Sequence, residues 1–416
     1  MPVDMTAHAH GGDILSQPVQ LPYSGKTAKN RFWKCAMTER LCTFSEMDEV
    51  DRGRPTKQYE HLYEVFGNGG AGVIVTGNIM VQRRFIEAKG NAIIALDLQS
   101  NDAASFGVVA EAAKRTGSLI LGQLCHPGYQ ASPPGLSERI CVSRLPASGK
   151  DGDSADPPPT PLTIQQIEEL RDAFVYAARI LYDAGFDGVQ LHAAYGHLFT
   201  QFLSAATNSR QDLYGGSFEN RCRFLLQVLQ GIREAIPDPT FVLSVKLNSS
   251  DFIQPESGFS AVEARYIGQQ LEVFRVDVLE LSGGAYEFPS ALKPTEINRQ
   301  RHSYYERFAE DITASLTRTL VTVNGALRSA ARMRQIVESG KGSFVGLARV
   351  LCAEPDLPNR IMSGKAEDAK DNKIPSAGYQ FLGAIYQLCA IGEDTEASDY
   401  SDERTVDSFM ATAKWI

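Results

Sequence analysis

The chain has 416 residues, of which 43% are hydrophobic and 9% aromatic, so it can form one large domain or two medium domains with an extensive core. Its net charge of −9, without long lysine and arginine runs, argues against a nucleic-acid-binding protein. No stretch approaches the ~18 apolar residues of a membrane span, and the polar N-terminus does not resemble a secretory signal. We therefore expect a cytoplasmic globular protein that binds neither nucleic acid nor membranes.

Short apolar runs of strand length alternate with helical stretches along most of the chain. The runs cover residues 32–35, 73–76, 119–122, 189–191, 242–245, 278–281, 320–323 and 344–347. The helical stretches cover residues 56–68, 101–116, 163–185, 219–236, 260–275, 306–317 and 328–340. This alternation predicts an α/β fold, a (β/α)₈ TIM barrel with eight parallel strands.

Two segments differ from the strand and helix pattern of the predicted barrel, to which we assign residues 1–365. Residues 127–161 are rich in proline, serine, glycine and aspartate, and are interpreted as a long rim loop after the third strand. Residues 366–416 form a C-terminal extension with an amphipathic piece from Phe381 to Ile391 and a final Trp415-Ile416. We expect the extension to pack on the barrel or on a neighbouring subunit of a homodimer; a frayed end is the alternative.

The seven cysteines are scattered and include no C-x-x-C pair; they lie at positions 35, 42, 125, 141, 222, 352 and 389. This spacing is typical of reduced thiols rather than of disulfides, zinc ligands or an iron–sulfur cluster. We therefore expect most of them to fill the core, and we predict no metal site.

The segment from Gly67 to Gly72 matches the letters of the G-x-G-x-x-G dinucleotide fingerprint. That fingerprint follows a strand and opens a helix, because the helix N-terminus holds a pyrophosphate. Here the glycines end a predicted helix and precede the strand that begins at Val73. We interpret them as a helix cap followed by a tight turn.

Polar or small residues follow the predicted strands; they include Thr38, Gly77, Gln123, His192, Lys246, Asn324, Gly325, Ala348 and Arg349. Catalytic groups of parallel barrels lie at the carboxyl ends of the strands, so these residues are expected to meet on one rim. The alternative is that strand ends are polar because loops are polar. That alternative explains single positions, but it fits this set of residue types less well.

The last two strand ends are typical of a phosphate site. Gly325 follows the seventh strand, and Ala348-Arg349 closes the eighth, which together offer backbone N–H groups and a guanidinium. The alternative is a structural Arg349 that pairs with an acidic neighbour such as Glu354 or Asp356.

The end of the fourth strand carries three candidate catalytic residues, His192, Tyr195 and His197. An isolated histidine would be interpreted as a core residue, but two histidines and a tyrosine at one strand end indicate a site. The chain has no G-x-S-x-G elbow, H-E-x-x-H helix or P-loop lysine. This argues against serine hydrolases, zinc proteases and nucleotide hydrolases.

From about residue 15 to 365 the chain resembles the old yellow enzyme family of FMN-dependent ene-reductases. Residues 29–38, 69–77 and 123–128 are similar to the family's first three strands and their loops, and residues 186–226 are similar to its signature around the fourth strand. The last two strand ends resemble its FMN phosphate site. The resemblance implies FMN at the C-terminal rim of the barrel, with NAD(P)H as a transient reductant.

The resemblance also implies roles for individual rim residues. Ala36 and Thr38 would lie beside the isoalloxazine, and Gln123 would bind its pyrimidine edge. Lys246 would stabilise negative charge near N1 of the reduced flavin. The other residues expected to bind the cofactor are Gly77, His192, Asn324, Gly325, Ala348 and Arg349.

The candidate catalytic residues depart from the family pattern. In the family, a histidine and then a histidine or asparagine three positions on hold the substrate oxygen, and a tyrosine two positions further donates a proton. Here these positions read His192, Tyr195 and His197, so the proton donor is either Tyr195 or His197. A pKa near neutrality is expected for His197. Tyr129, where many relatives have arginine, is expected to bind substrate together with His192 and Tyr195.

The function that the resemblance implies is hydride transfer between reduced flavin N5 and the activated C=C bond of an enone-like or cyclic specialised metabolite. NAD(P)H would reduce the flavin in a ping-pong cycle. One alternative is an FMN-dependent oxidase, desaturase or oxygenating enzyme that acts on a cyclic or phenolic substrate with oxygen. Another is a flavin-binding barrel without turnover.

Overall fold

The computed structural model describes residues 12–97, 103–131, 139–144, 159–248, 261–282, 310–325 and 327–413. Its centre is a closed barrel of eight parallel strands. In chain order they are β1 (Phe32–Lys34), β2 (Val73–Met80), β3 (Leu119–Cys125), β4 (Gly188–Ala193), β5 (Val242–Asn248), β6 (Val278–Ser282), β7 (Leu320–Asn324) and β8 (Phe344–Leu347). The predicted (β/α)₈ fold is confirmed, and each strand lies at the apolar run predicted for it.

Each barrel strand pairs in parallel with the next one along the chain, and β8 pairs in parallel with β1. In this register Lys246 of β5 lies level with His192 of β4 on one side and with Glu280 of β6 on the other. Because all strands run the same way, their carboxyl ends meet on one rim.

The strands are buried on both faces. Every residue of β2, β4, β5 and β6 is buried, since helices cover the outside and side chains fill the interior. This explains why the strands appear in the sequence as apolar runs without a strict alternation. Gln190, Lys246 and Glu280 are polar exceptions within these runs, and they belong to the site described below.

The helices that follow the strands cover the outside of the barrel. They are α1 (Lys57–Asn68), α2 (Ala103–Lys114), α3 (Ile164–Asp183), α4 (Leu198–Leu203), α5 (Phe218–Ala235), α6 (Ala261–Val273), α7 (310–315), α8 (Ala330–Glu338), α9 (Arg349–Ala353) and α10 (Leu357–Met362). Hydroxyl groups set several helix starts: Thr163 forms a capping box with Gln166, and Ser217 caps α5. Among the described residues no helix is long and apolar enough to cross a membrane.

The glycines between α1 and β2 form a helix end and a turn, as the sequence predicted. Gly69 is the C-cap residue of α1, and its N–H donates to the carbonyl of Val65 at 2.9 Å. Gly70 has a φ of +95°, in a region that glycine adopts with little strain. The glycines precede β2 rather than open a helix, so this segment is not a dinucleotide-binding loop.

An N-terminal hairpin lies against the end of the barrel opposite the rim. Its strands, Val19–Gln20 and Thr27–Ala28, are antiparallel. Within its turn, the N–H groups of Tyr23 and Ser24 donate to the carboxylate of Asp277, which directly precedes β6, at 2.8 and 2.9 Å. The hairpin therefore covers the amino ends of the strands, and the site is built at their carboxyl ends.

The C-terminal extension contributes two helices, α11 (Ala377–Gly392) and α12 (Glu403–Thr412). The first contains the predicted amphipathic piece and packs against α1 and α9. A small apolar cluster joins the two helices; it consists of Ile374, Leu382, Tyr400, Val406 and Phe409. Trp415 and Ile416 lie outside the described residues, and the division of the chain into barrel and extension stays a prediction.

The described parts of the predicted rim loop are short. Gly128–Gln130 forms a 3₁₀ turn directly after β3, and Ile140–Cys141 pairs in parallel with Thr160–Pro161. The 3₁₀ turn contacts the segment after β4, because the side-chain amide of Gln130 donates to the carbonyl of Tyr195 at 3.2 Å. The start of this loop therefore borders the candidate catalytic residues.

Candidate active site

Three neighbouring strands place His192, Lys246 and Glu280 side by side at the rim. Lys246 Nζ lies 3.0 Å from Glu280 Oε1, and both side chains are buried. Burial by itself would lower the pKa of Lys246, but the carboxylate of Glu280 raises it above its ordinary value. Burial would likewise raise the pKa of Glu280, yet Lys246 and further donors lower it. The pair is therefore charged on both sides at neutral pH.

The Glu280 carboxylate accepts hydrogen bonds from three further side chains. The donors are Trp33 Nε1 at 3.0 Å, Gln190 Nε2 at 2.9 Å and Asn324 Nδ2 at 2.8 Å. Gln190 Oε1 in turn accepts from Gln123 Nε2 at 2.7 Å. A buried carboxylate with this many donors is well compensated, and the network fixes the orientation of Gln123 and Asn324, two predicted cofactor residues.

The three candidate catalytic side chains form one cluster because the chain turns sharply after β4. Tyr195 has a φ of +56° and Gly196 a φ of +75°, and His197 then starts α4 as its N-cap residue. The ring centroids of His192 and His197 lie 4.5 Å apart, and those of His192 and Tyr195 lie 6.0 Å apart. Lys246 Nζ lies 5.1 Å from the centre of the Tyr195 ring.

The left-handed backbone at Tyr195 is a strained feature of this turn. A bulky residue at positive φ costs about 1–2 kcal/mol, whereas glycine and asparagine adopt it more readily. Strain of this kind is common at functional sites, where the side chain is needed in one place. The strain at Tyr195 is therefore consistent with a functional role of its side chain, and that role stays a prediction.

Both histidines of the cluster are neutral at pH 7. Burial lowers the pKa of His197 to about 4; the charge of Glu87 opposes this effect and that of Lys246 adds to it. Burial, together with His197 and Lys246, lowers the pKa of His192 well below its ordinary value. The sequence-based expectation of a pKa near neutrality for His197 is therefore wrong, because it left out the cost of burying an imidazolium.

A cysteine that sequence reasoning did not single out lies directly beside the histidines. Cys125 Sγ, at the end of β3, is 2.8 Å from His197 Nδ1. Nδ1 of His192 is buried and has no hydrogen-bond partner among the residues that the structure describes. Cys125 had looked like one of seven scattered thiols, and only the barrel register brings it to the rim.

The hydroxyl oxygen of Thr38 accepts a hydrogen bond from a side-chain amide. Asn91 Nδ2 donates to Thr38 Oγ1 at 3.2 Å and to Glu87 Oε2 at 3.3 Å, while Asn78 Nδ2 donates to the same Glu87 oxygen at 3.1 Å. Since its oxygen already accepts a hydrogen bond, the Thr38 hydroxyl can direct its own proton to a ligand. Ala36, half-buried, directly follows β1 on the same segment.

The backbone of Gly77 is engaged within the protein. Its N–H donates to Glu39 Oε1 at 2.7 Å and to the Tyr63 hydroxyl at 3.1 Å, and its carbonyl accepts from Thr76. A Cβ at this position would lie within 2.4 Å of the Met37 carbonyl. Its N–H is thus engaged within the protein and the residue packs closely beside the β1 end, while its role in cofactor binding stays a prediction.

The predicted phosphate residues lie at the ends of β7 and β8. Gly325 has a φ of +116°, and Ala348 precedes α9, whose first residue is Arg349. Arg349 Nη1 donates to Gln380 Oε1 of α11 at 2.7 Å. The alternative of a structural pair between Arg349 and Glu354 or Asp356 is wrong, because Arg360 pairs with both carboxylates.

Tyr129 is buried in the 3₁₀ turn beside the cluster. A Cβ added to Gly196 would lie 3.8 Å from its hydroxyl, which places the Tyr129 hydroxyl next to the turn that carries Tyr195 and His197. A described cavity of about 650 Å³ lies elsewhere, between Tyr386, Tyr400 and Phe409 of the extension. The candidate catalytic residues lie at the barrel rim and do not line that cavity.

Comparison with known proteins shows which family this barrel belongs to. The model of the NADH:flavin oxidoreductase / NADH oxidase family matches residues 15–368. The chain therefore belongs to this family, the old yellow enzyme family that its motifs resemble.

Individual relatives support the same assignment. The NADH-dependent flavin oxidoreductase nadA of Aspergillus parasiticus is 35% identical over 409 residues, which cover 97% of this chain and 91% of that protein. Morphinone reductase in complex with tetrahydroNAD is similar with a TM-score of 0.67 and 25% identity, over 89% of this chain and 94% of the other. A 2-naphthoyl-CoA reductase is similar with a TM-score of 0.75, but at 21% identity it supports the fold alone, and this chain covers 58% of it.

The protein is accordingly an FMN-dependent NAD(P)H oxidoreductase, and the idea of a flavin-binding barrel without turnover is not supported. The residues of the rim fit FMN. Lys246, Thr38 and Arg349 are donors at three separate strand ends, as an electron-rich ring and a phosphate require. The unpartnered Nδ1 of His192 is a buried polar atom of the kind that a bound ligand satisfies.

Proposed function

We propose that the protein reduces the activated C=C bond of an enone-like or cyclic specialised metabolite, with NAD(P)H as the reductant in a ping-pong cycle. The observation that carries this proposal is the cluster of His192, Tyr195 and His197 beside Lys246 at the rim. Bound FMN supplies hydride through its N5 atom. In this proposal Thr38, Gln123 and Lys246 hold the ring, and Asn324, Gly325, Ala348 and Arg349 hold the phosphate end.

The oxygen of the substrate would be bound by the two histidines. Their rings lie 4.5 Å apart, and both are neutral at pH 7, so each can donate one N–H. Two N–H donors aimed at one oxygen stabilise the negative charge that develops there as hydride reaches the β-carbon. His197 would thus take the oxygen-binding role that the sequence pattern left open between it and Tyr195.

Tyr195 would donate the proton to the α-carbon. A neutral imidazole is a poor acid, and a pKa of about 4 leaves roughly one His197 in a thousand protonated at pH 7. The Lys246 ammonium over the Tyr195 ring would stabilise the negative charge that remains when the hydroxyl donates its proton. The buried Tyr129 would form the far wall of the substrate site beside this turn.

A second candidate function is the oxidation or oxygenation of a phenolic or cyclic substrate with oxygen as the electron acceptor. It is favoured by the same donors, since two neutral imidazole N–H groups and a neighbouring lysine suit a phenolate oxygen. Tyr195 also adds an aromatic edge above the rim for a flat ring. The two candidates differ in which compound reoxidises the reduced flavin.

Anaerobic stopped-flow absorbance tests the proposal. The purified yellow protein is reduced by NADH or by NADPH, and its flavin is then reoxidised by a cyclic enone or by oxygen. We expect fast bleaching by one nicotinamide and fast recovery with the enone. Bleaching by a phenolic substrate without any reaction with NAD(P)H would favour the second candidate, and a slow recovery with every activated alkene would contradict the first.

A matched pair of variants ties the activity to the site. His192→Asn keeps a side-chain donor, whereas His192→Ala removes it. Under the proposal, the alanine variant binds the enone more weakly and the asparagine variant retains most of the affinity. Equal affinity in both variants and the wild type would show that the oxygen is bound elsewhere.

A further inference from the structure

We propose that Cys125, His192 and His197 form a binding site for a thiophilic d¹⁰ cation of the zinc type. Among the described residues they are the one cluster in which three cysteine, histidine or acidic side chains bring a ligand atom each within 4.8 Å of the others. The inference does not depend on the proposed reaction, because it concerns ligand atoms rather than turnover.

The geometry of the cluster is close to that of a three-ligand zinc site. Zn–S and Zn–N bonds of about 2.3 and 2.0–2.1 Å place tetrahedral ligand atoms about 3.3–3.6 Å apart. The separations here range from 2.8 Å, between Cys125 Sγ and His197 Nδ1, to at most 4.8 Å. Small side-chain rotations would equalise them, and the fourth position would face the rim, as in catalytic zinc sites that keep one open position.

The ligand types suit a thiophilic d¹⁰ cation. Imidazole nitrogen and cysteine sulfur are ligands that zinc takes in proteins. Binding would convert Cys–SH and Zn²⁺ into a Cys–S–Zn⁺ unit and release one proton to solvent.

Charged groups of both signs lie around the cluster. Lys246 would repel a cation, but its own charge is compensated by Glu280 at 3.0 Å. The carboxylate of Glu87 interacts electrostatically with both His197 and Cys125 and would attract a cation. A thiolate-bound divalent cation carries a net charge of about +1, less than that of the free ion.

A cation bound at this cluster would block substrate binding at the rim. The cation would use the nitrogen atoms that bind a substrate oxygen under the proposed function. Zinc should therefore act as a reversible inhibitor that competes with substrate. The alternative is that the cluster is a thiol–imidazole contact that binds no metal. The number of metal ions bound per chain distinguishes the two.

The test is a metal titration of the FMN-loaded protein after treatment with a chelator. Zn²⁺ binding is measured by equilibrium dialysis, and Cd²⁺ binding by the ultraviolet thiolate-to-cadmium charge-transfer band. We expect one ion per chain and affinity that rises with pH. Cys125→Ser should bind about 100-fold more weakly and lose the band. The control Cys389→Ser, on α11 and outside the cluster of three ligands, should bind as the wild type does.

A second variant tests the site independently, in case Cys125→Ser loses binding because it misfolds. His192→Asn removes a different ligand, and it should also weaken Zn²⁺ binding while the bound FMN spectrum reports an intact fold. Absence of stoichiometric binding to the wild type would overturn the proposal. So would binding that persists in Cys125→Ser. Either result leaves the reductase proposal untouched, because that proposal is judged by flavin reduction and reoxidation.

Discussion

Lys246 and Glu280 are register partners on adjacent strands of the barrel, and their charged groups lie 3.0 Å apart in the interior. The Glu280 carboxylate also accepts hydrogen bonds from Trp33, Gln190 and Asn324. A side-chain amide at this position would therefore place its own donor group among other donors.

Glu280→Gln should destabilise the protein by about 3–5 kcal/mol, because it leaves Lys246 buried without its counter-charge. Urea denaturation followed by circular dichroism gives the value. Glu403→Gln is a matched control, since Glu403 pairs with Lys373 at a similar 3.1 Å but is 81% exposed. The control should cost less than about 1 kcal/mol. A similar decrease in unfolding free energy for both variants would mean that the buried pair stabilises the protein no more than the exposed pair does.

The buried histidines predict how stability depends on pH. The pKa of His197 is lowered from 6.5 to about 4, so between these values the unfolded chain binds a proton that the folded chain does not. Stability should therefore fall as the pH falls from about 6.5 to 4, by about 3 kcal/mol for this residue. His126, with a pKa of about 3, adds to the effect in the same direction.

His197→Phe removes this titrating group and should flatten part of the pH profile of the unfolding free energy. A slope unchanged in His197→Phe would indicate that His197 is protonated in the folded protein at these pH values. Denaturant titrations at a series of pH values from 4 to 7 measure the slopes.

Tyr195 predicts a conflict between stability and activity. Tyr195→Asn relieves the strain of a bulky residue at positive φ and should stabilise the protein by about 1 kcal/mol. It also removes the proposed proton donor, so reoxidation of the flavin by an enone should slow about 100-fold. Tyr195→Phe keeps the strained backbone and loses the hydroxyl, so it should show the kinetic defect without the gain in stability. Unimpaired reoxidation in Tyr195→Phe would assign the proton to another group.

The contact between Arg349 and Gln380 predicts that the C-terminal extension supports cofactor binding. Gln380→Ala frees the guanidinium from α11 and should weaken FMN binding up to about tenfold, the effect of one hydrogen bond to a charged group. Fluorescence titration of the apoprotein with FMN measures the affinity. Gln387→Ala, on the same helix, removes a hydrogen bond to Ser398 and should leave FMN affinity unchanged. Equal FMN affinities in the two variants would show that this contact with the extension does not support cofactor binding.

The hydrogen bond from Asn91 to Thr38 predicts an effect on the flavin potential. Thr38→Val removes a donor that favours the electron-rich reduced ring, so the midpoint potential should fall by about 20–30 mV. Thr412→Val, on the exposed surface of α12, serves as the control. Potentials are measured by spectroelectrochemistry against a reference dye. An unchanged potential in Thr38→Val would place the hydroxyl away from the ring.

The sequence was sufficient to predict the barrel, and the structure brings several of the predicted site residues together at its rim. The alternation of strands and helices could be predicted because it depends on local sequence patterns. The end of β4 carries His192, Tyr195 and His197 within six residues, so their proximity is also local. Parallel strands then require the polar strand ends to share a rim, and for Lys246 and His192 the register confirms this.

The connections among site residues could not be predicted, because they depend on register and burial. Glu280 was visible as a charged residue inside an apolar strand, and that signal was not used. Cys125 offered no signal, since its proximity to His197 spans 72 residues of sequence. The low pKa of His197 follows from burial, which the sequence does not contain. Gly77 matched a family position, but the contact of its N–H with Glu39 depends on the irregular pairing of β2 near this residue.

The single carboxylate of Glu280 also constrains how the barrel can assemble. Its donors Trp33, Gln190 and Asn324 lie on β1, β4 and β7, so strands from both ends of the chain share one acceptor. A fragment that stops after β5 would leave Trp33, Gln190 and Lys246 without it. We therefore expect an N-terminal half of this barrel to be less stable on its own than within the whole, because it would bury these donors without their shared acceptor.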